Sequence, residues 1–136
     1  MNFSELIRSE EELLKRLLLV SQRQLEIVEA GNAAVLVEYL GQRQRLWHEF
    51  ELLERQLATH KGIPPENRVW KSAEERQQTE LSLNRCKMLL EEIMANDQIS
   101  FTKAAELKEN VEKDLRRVQL SKNAAPAYMK QSRLQQ

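Results

Sequence analysis

The fold of this chain is decided by residues 36–57, which read LVEYLGQRQRLWHEFELLERQL. Apolar side chains recur here at steps of three or four residues, and Arg43 interrupts the series. Such spacing keeps one residue per half-heptad on a single helix face, as in an antiparallel helical hairpin or a coiled coil. We therefore predict a long helix that packs against other helices. Its stripe consists of Leu36, Tyr39, Leu46, Phe50, Leu53 and Leu57.

A second stripe precedes this helix and predicts a first helix of similar length. We place its N-cap at Ser4 and its end at Gly31, which suits the left-handed conformation at a helix C-terminus. Asn32 then caps the second helix. Because so short a joint makes neighbouring helices antiparallel, residues 4–62 are predicted to form a hairpin. The stripe of the first helix consists of Ile7, Leu14, Leu17, Leu18, Leu25 and Val28, with Ser21 in one apolar position.

A loop over residues 63–71 follows the hairpin. Pro64 and Pro65 remove two backbone donors and favour extended backbone before them. We interpret Val69 and Trp70 as a hydrophobic clasp at the open end of the hairpin. The loop ends where a new helix-start signal appears.

That signal is Ser72 with Glu75 three residues later, which predicts a capping box at the start of a third helix. We predict this helix over residues 72–122, either continuous or bent near residues 96–97, where Asn and Asp are poor helix formers. Pro126 lies in a short tail over residues 123–136. The apolar stripe of the third helix includes Cys86, Leu90, Ile93, Asp97, Phe101, Ala104, Leu107, Val111, Leu115 and Val118.

The composition fits one all-α domain of long helices. The 136 residues include only three glycines and three prolines, and 31% are charged. Net charge is zero, so no global field favours nucleic acid or an anionic membrane. The acidic N-terminus and the lack of a long apolar run predict no secretory signal and no membrane span. With a single cysteine, the sequence favours a reducing compartment and a cytoplasmic location.

Residues with catalytic or ligand chemistry do not form a recognisable site. Neither His48 nor His60 has a second histidine or a cysteine at metal-ligand spacing, and no phosphate loop or nucleophile motif occurs. We therefore predict no enzyme activity, no cofactor and no metal. Cys86 lies on an apolar stripe and is interpreted as a core residue. Arg43 is either a polar residue that sets the helix register or a side chain whose guanidinium reaches solvent, and we favour the second interpretation.

The third helix is about twice as long as either hairpin helix, so its second half has no evident partner within the chain. Its apolar positions from residue 99 onward still recur at helical spacing. A helix with an apolar face and no internal partner is typical of a protein that binds another helix. The rival interpretation is a structural coiled-coil protein that forms a homodimer through its third helices.

The whole chain resembles the small all-helical flagellar export chaperones of the FlgN and FliT type. The resemblance begins with the leucine-rich first helix and the joint at residues 28–36, VEAGNAAVL. It continues through residues 44–46 and 52–57, and through Leu89-Leu90, Asn96 and Leu115. The end of the chain at residues 123–128, NAAPAY, also resembles the family, although Met129 follows where members often carry glycine.

This resemblance implies a cytoplasmic chaperone that holds a hook-associated or filament-cap protein and delivers it to the type III export apparatus. Because acidic residues lie among the basic ones near the C-terminus, we predict no nucleic-acid partner, and a weak homodimer is a further candidate. The cargo would be bound through terminal amphipathic helices. Tyr128 would be a docking residue for the export gate; the alternative is that its ring packs back onto the chain. The cargo-binding residues would be Phe101, Ala104, Leu107, Val111, Leu115 and Val118.

Overall fold

The structure, a computed structural model, describes the backbone of residues 1–134 and the side chains of residues 1–120. It contains three α-helices: α1 (Phe3–Glu29), α2 (Ala33–Lys61) and α3 (Ala73–Leu134), with a 3-10 turn at Pro65–Asn67 before α3. The described residues include no β-strand. The prediction of an all-α fold is confirmed. The chain divides into two compact units, residues 1–100 and 101–136, and the boundary lies within α3.

Helices α1 and α2 form an antiparallel hairpin. Gly31 adopts a positive φ of 71°, and the Asn32 side chain accepts a hydrogen bond from the Val35 N–H at 3.2 Å. Both features of the predicted joint are therefore present. Side-chain contacts run in opposite directions along the two helices: Arg16 lies 3.6 Å from Glu49, near the middle of the hairpin. At its open end the Phe3 and His60 rings lie 6.0 Å apart.

The N-terminus of α1 differs from the prediction by two residues. Asn2 is the cap: its side chain accepts from the Glu5 N–H at 2.9 Å, and its own N–H donates to the Glu5 carboxylate at 3.2 Å. Ser4 is buried at the second position of the helix, where its hydroxyl lies 2.8 Å from that of Thr79 on α3. Asn and Ser are about equally good caps, so the sequence pattern did not separate them.

The predicted clasp after the hairpin is half correct. Trp70 packs edge-on against Phe3, with ring centroids 6.0 Å apart. Val69, by contrast, is 99% exposed and does not take part. Arg68 takes part in the clasp instead. Its guanidinium donates to the His60 carbonyl at 3.1 and 3.3 Å and lies 4.1 Å from the Phe3 ring centre. An arginine therefore binds a carbonyl at the C-terminal end of α2, where such groups lack helical partners.

Helix α3 begins at the predicted signal. The Ser72 hydroxyl accepts from the Glu75 N–H at 3.0 Å, while the Glu75 carboxylate accepts from the Lys71 N–H at 2.6 Å. The helix is uninterrupted through residues 96–97. It ends at Leu134 rather than near residue 122, so the predicted tail over 123–136 is helical as far as Leu134. One proline removes a single donor, and the alanines around Pro126 are strong helix formers.

The core of the first unit is built around α1. This helix is buried on two faces because α2 and α3 both pack against it, and α3 runs parallel to it: Ser4 meets Thr79, and Ser21 meets Asp97. The sequence stripe identified Ile7, Leu14 and Leu17 but not the second face. The buried apolar core consists of Phe3, Leu6, Ile7, Leu13, Leu14, Leu17, Leu57, Cys86 and Ile93. Among the described residues, no helix has both the length and the apolar character that a membrane crossing requires.

Side chains of α1 are more deeply buried than those in the second half of α3, and this predicts a difference in local stability between the two segments. All side chains of residues 108–120 are exposed, whereas α1 between Leu13 and Leu17 contributes three buried leucines. Segments with few buried contacts open at lower free energy. In native-state hydrogen exchange of the full chain, we expect amides of residues 108–120 to exchange at least tenfold faster than those of residues 13–17 and 86–97. Uniform protection through residue 120 in a monomer would contradict this expectation.

Candidate protein-interaction surface

An apolar stripe lies on the second half of α3, within residues 101–120. The side chains of Phe101, Val111, Leu115 and Val118 are between 47% and 63% exposed. Ala104 and Leu107 lie on the same helix face and are half-buried. The six positions predicted from the sequence therefore share one face over 18 residues, or roughly 25 Å of helix. We call these six residues the α3 stripe.

The spacing of the α3 stripe bears on how a second helix would contact it. From Leu107 the apolar positions advance by four, four and three residues, to Val111, Leu115 and Val118. Over the whole stripe, Ala104, Val111 and Val118 are seven residues apart, which is a heptad spacing. A partner helix would therefore contact the stripe along a seam like that of a left-handed coiled coil.

Charges of both signs surround the α3 stripe. Lys113 pairs with Glu109 at 3.3 Å, one turn away on the same helix, and the Arg116 guanidinium donates to the Glu112 carbonyl at 3.4 Å. Exposed pairs of this kind contribute little to stability. They leave the face without a strong net charge, so apolar contact is the main attraction the stripe offers.

Tyr128, the predicted docking residue, lies outside the residues whose side chains the structure describes. Its backbone belongs to α3.

In the first unit, three polar residues from three helices meet. Asp97 on α3 accepts a hydrogen bond from the Ser21 hydroxyl on α1 at 3.2 Å and forms an ion pair with Arg43 on α2. The side chain of Asp97 is 8% exposed and that of Arg43 is 21% exposed. The Arg43 guanidinium also lies 5.7 Å from the centre of the Trp47 ring. The favoured interpretation of Arg43, a guanidinium reaching solvent, is therefore wrong, because a buried carboxylate holds it.

The sequence shows that each of these three residues is polar and lies in an apolar stripe, but it does not show that their side chains contact one another. Ser21, Arg43 and Asp97 are the polar residues within the apolar stripes of α1, α2 and α3. A polar residue in each of three packed stripes is a signal that the three face one another. We refer to them as the Ser21–Asp97–Arg43 network.

A second polar cluster joins α1 to α3. The Glu11 carboxylate accepts from the Ser82 hydroxyl at 3.1 Å and from the Arg85 guanidinium. Burial tends to raise the pKa of Glu11, but the hydrogen bonds from Arg85 and Ser82 outweigh it and hold the pKa below its usual value. The contact between α1 and α3 is thus rich in hydroxyl and carboxylate groups.

The remaining candidates take structural positions. Cys86 is buried, and its thiol lies 3.9 Å from the Ile7 carbonyl oxygen, so the prediction of a core cysteine is confirmed. His60 packs against Phe3, and His48 is exposed on α2. Within the described part of the chain, no three His, Cys, Asp or Glu side chains are grouped so as to hold a metal ion.

The chain was compared with protein-family models, with curated proteins and with solved structures, and nothing in the three comparisons matched it. What it does must therefore be argued from its own surfaces.

Proposed function

We propose that this chain is a cytoplasmic chaperone of flagellar type III export. It binds the terminal amphipathic helices of a hook-associated or filament-cap protein and delivers that protein to the export apparatus. The observation that carries the proposal is the α3 stripe, a continuous apolar face with four large side chains about half exposed. The resemblance of the sequence to the FlgN and FliT type supports the choice of partner.

The chemistry of the α3 stripe suits reversible recognition of a helix. An amphipathic partner helix would place anchors at i, i+3 or i+4, and i+7 against it. Ala104, Val111 and Val118 are small or medium in size, and Phe101 is the one aromatic ring in the stripe. Large aromatic anchors dominate the tightest interfaces. A stripe with few of them suits a chaperone, because its cargo must leave again for export.

Tyr128 has a separate role in this proposal. Tyrosine offers a large apolar ring and a hydroxyl at low entropic cost, which suits a docking residue. We assign it to contact with the export gate after cargo has bound.

The test is binding of the full chain to the terminal helical segment of a hook-associated or cap protein, measured by calorimetry. We expect a one-to-one complex with a Kd on the order of 1 μM, about −8 kcal/mol. The matched control is the same segment with its apolar anchors replaced by serine, which should not bind.

Light scattering after size-exclusion chromatography separates the proposal from its rival. A monomer or a concentration-dependent dimer agrees with a chaperone. A dimer that persists on dilution, together with no binding of the segment, would overturn the proposal in favour of a coiled-coil scaffold joined through the third helices.

A further inference from the structure

A groove of about 390 Å³ lies in the first unit where α1, α2 and α3 meet. Apolar side chains from all three helices line it, among them Leu14, Phe50 and Leu90. Its charged and titratable lining is unusual for so apolar a place. Each helix contributes to it: Glu10 from α1, Glu54 and Lys61 from α2, and Cys86 and Lys87 from α3.

Glu10 is the most deeply buried acid in this groove, at 6% exposure. A second carboxylate, Glu54, lines the same groove, and Glu10 interacts with it. The Lys61 ammonium donates to both oxygens of Glu54, at 3.0 and 3.2 Å. Lys61 is therefore bonded to Glu54 rather than to Glu10. On α3, the Lys87 side chain is exposed.

Ionising both carboxyl groups in this buried position is energetically unfavourable. Burial, followed by the hydrogen bond with Glu54 and the charge of Glu54, raises the pKa of Glu10 to about 8, although Lys61 opposes the shift. The pKa of Glu54 is lowered, first by the hydrogen bond with Glu10 and then by Lys61, against the effect of burial. At neutral pH one proton therefore remains on the pair, and Glu10 carries it.

We infer that the Glu10–Glu54 pair is a proton-dependent latch that closes this groove over Cys86. With the proton present, Glu10 donates its O–H to the Glu54 carboxylate and joins α1 to the C-terminal half of α2. When the proton leaves for solvent, two carboxylates face each other at the groove and repel, and the α2 side moves away. The latch is independent of the proposed function.

The direction of the pH dependence follows from linkage. Because the pKa of Glu10 is raised in the folded chain, from 4.5 to about 8, the folded state binds this proton more tightly than the unfolded state does. The stabilisation is complete below pH 4.5 and declines as the pH rises toward and past 8. Opening of the groove should therefore increase on the alkaline side.

Cys86 provides a direct readout of this opening. It is the single cysteine of the chain, it is buried, and it lines the groove. Burial, together with the charges of Glu10 and Glu11, raises the pKa of its thiol to about 12. A closed groove therefore protects the thiol both by covering it and by keeping it protonated.

The experiment measures the rate at which a thiol reagent labels Cys86 in the full chain between pH 6.5 and 9.5. Each rate is divided by that of the denatured chain at the same pH, which removes the ordinary ionisation of the thiol. For the natural sequence we expect the protection of Cys86 to fall about tenfold over this range. In Glu10→Gln, which keeps a donor of the same shape, protection should stay constant within about twofold.

The matched control is Glu12→Gln, which changes an exposed glutamate of the same helix and should behave like the natural sequence. Glu54→Gln is a second probe of the latch, since a neutral partner for Glu10 removes the repulsion between the two carboxylates and should reduce the pH dependence. If Glu10→Gln fails to fold, Glu54→Gln decides the matter. Constant protection in the natural chain, or an equal fall in the glutamine variants, would overturn the inference.

Discussion

Replacing Val111 and Leu115 together by aspartate should abolish binding of the terminal helical segment of a hook-associated or cap protein and leave residues 1–100 folded. Both side chains are exposed at the centre of the α3 stripe, and they are one turn apart. Truncating a buried interface anchor often costs about 2 kcal/mol or more, so two should weaken the complex roughly a thousandfold. Calorimetry with the cargo segment measures the loss, and circular dichroism of the free variant checks that its helices remain.

A control variant tests whether position or charge is responsible. Asn110→Asp with Leu120→Asp also adds two negative charges to exposed positions of α3, but the helical period places both away from the stripe. Cargo affinity of this control should stay within about threefold of the natural value. An equal loss in both variants would mean that charge repulsion, not the stripe, decides binding. Loss of most helical signal in the Val111/Leu115 variant would assign these residues to an internal core instead.

Arg43→Met should destabilise the first unit by about 3 kcal/mol, because it leaves the buried Asp97 carboxylate without its cation. Methionine keeps an unbranched apolar stem like that of arginine but lacks the guanidinium, so the loss reports mainly the missing charged group. In a domain of about 100 residues this corresponds to a fall in Tm of roughly 10–20 °C. Thermal and urea unfolding followed by circular dichroism measure the change.

Two further variants make the Arg43 result specific. Arg45→Met removes an exposed arginine two residues away and should change stability by less than about 0.5 kcal/mol. The double variant Arg43→Met with Asp97→Met removes both charges and should recover most of the loss, since a buried pair can be replaced by apolar groups at little net cost. A double variant as unstable as Arg43→Met alone would show that the ion pair is not the cause.

The sequence was sufficient for the parts of the fold that depend on local pattern. Apolar spacing defined the helices, and Gly31 with Asn32 defined the joint between α1 and α2, because both signals lie within a few residues of their effect. The boundaries were less certain where neighbouring residues are chemically equivalent, as with Asn2 and Ser4 at the start of α1. Local pattern also could not show that α1 has two buried faces, since that depends on where α3 packs.

The polar interior was the part that sequence reasoning missed. Ser21 and Arg43 stood out as polar residues in apolar stripes, and Asp97 stood out as a poor helix former. Their contact depends on the relative register of the helices, because the residues that meet are up to 76 positions apart in the chain. The same holds for Glu10 and Glu54, which read as ordinary surface glutamates along their own helices. Burial of a charged residue is decided by packing between helices, and a single helical pattern does not contain that information.

The polar contact between α1 and α3 has a consequence for synthesis on the ribosome. Because synthesis proceeds from the N-terminus, α1 and α2 leave the ribosome before α3 is complete. The α1 face that α3 later covers carries Ser4, Glu11 and Ser21, each of which bonds to α3 in the finished fold. Until then these groups are hydrated. Before α3 packs, this face therefore exposes polar groups as well as apolar ones to water, and it is less prone to aggregate than an entirely apolar face would be.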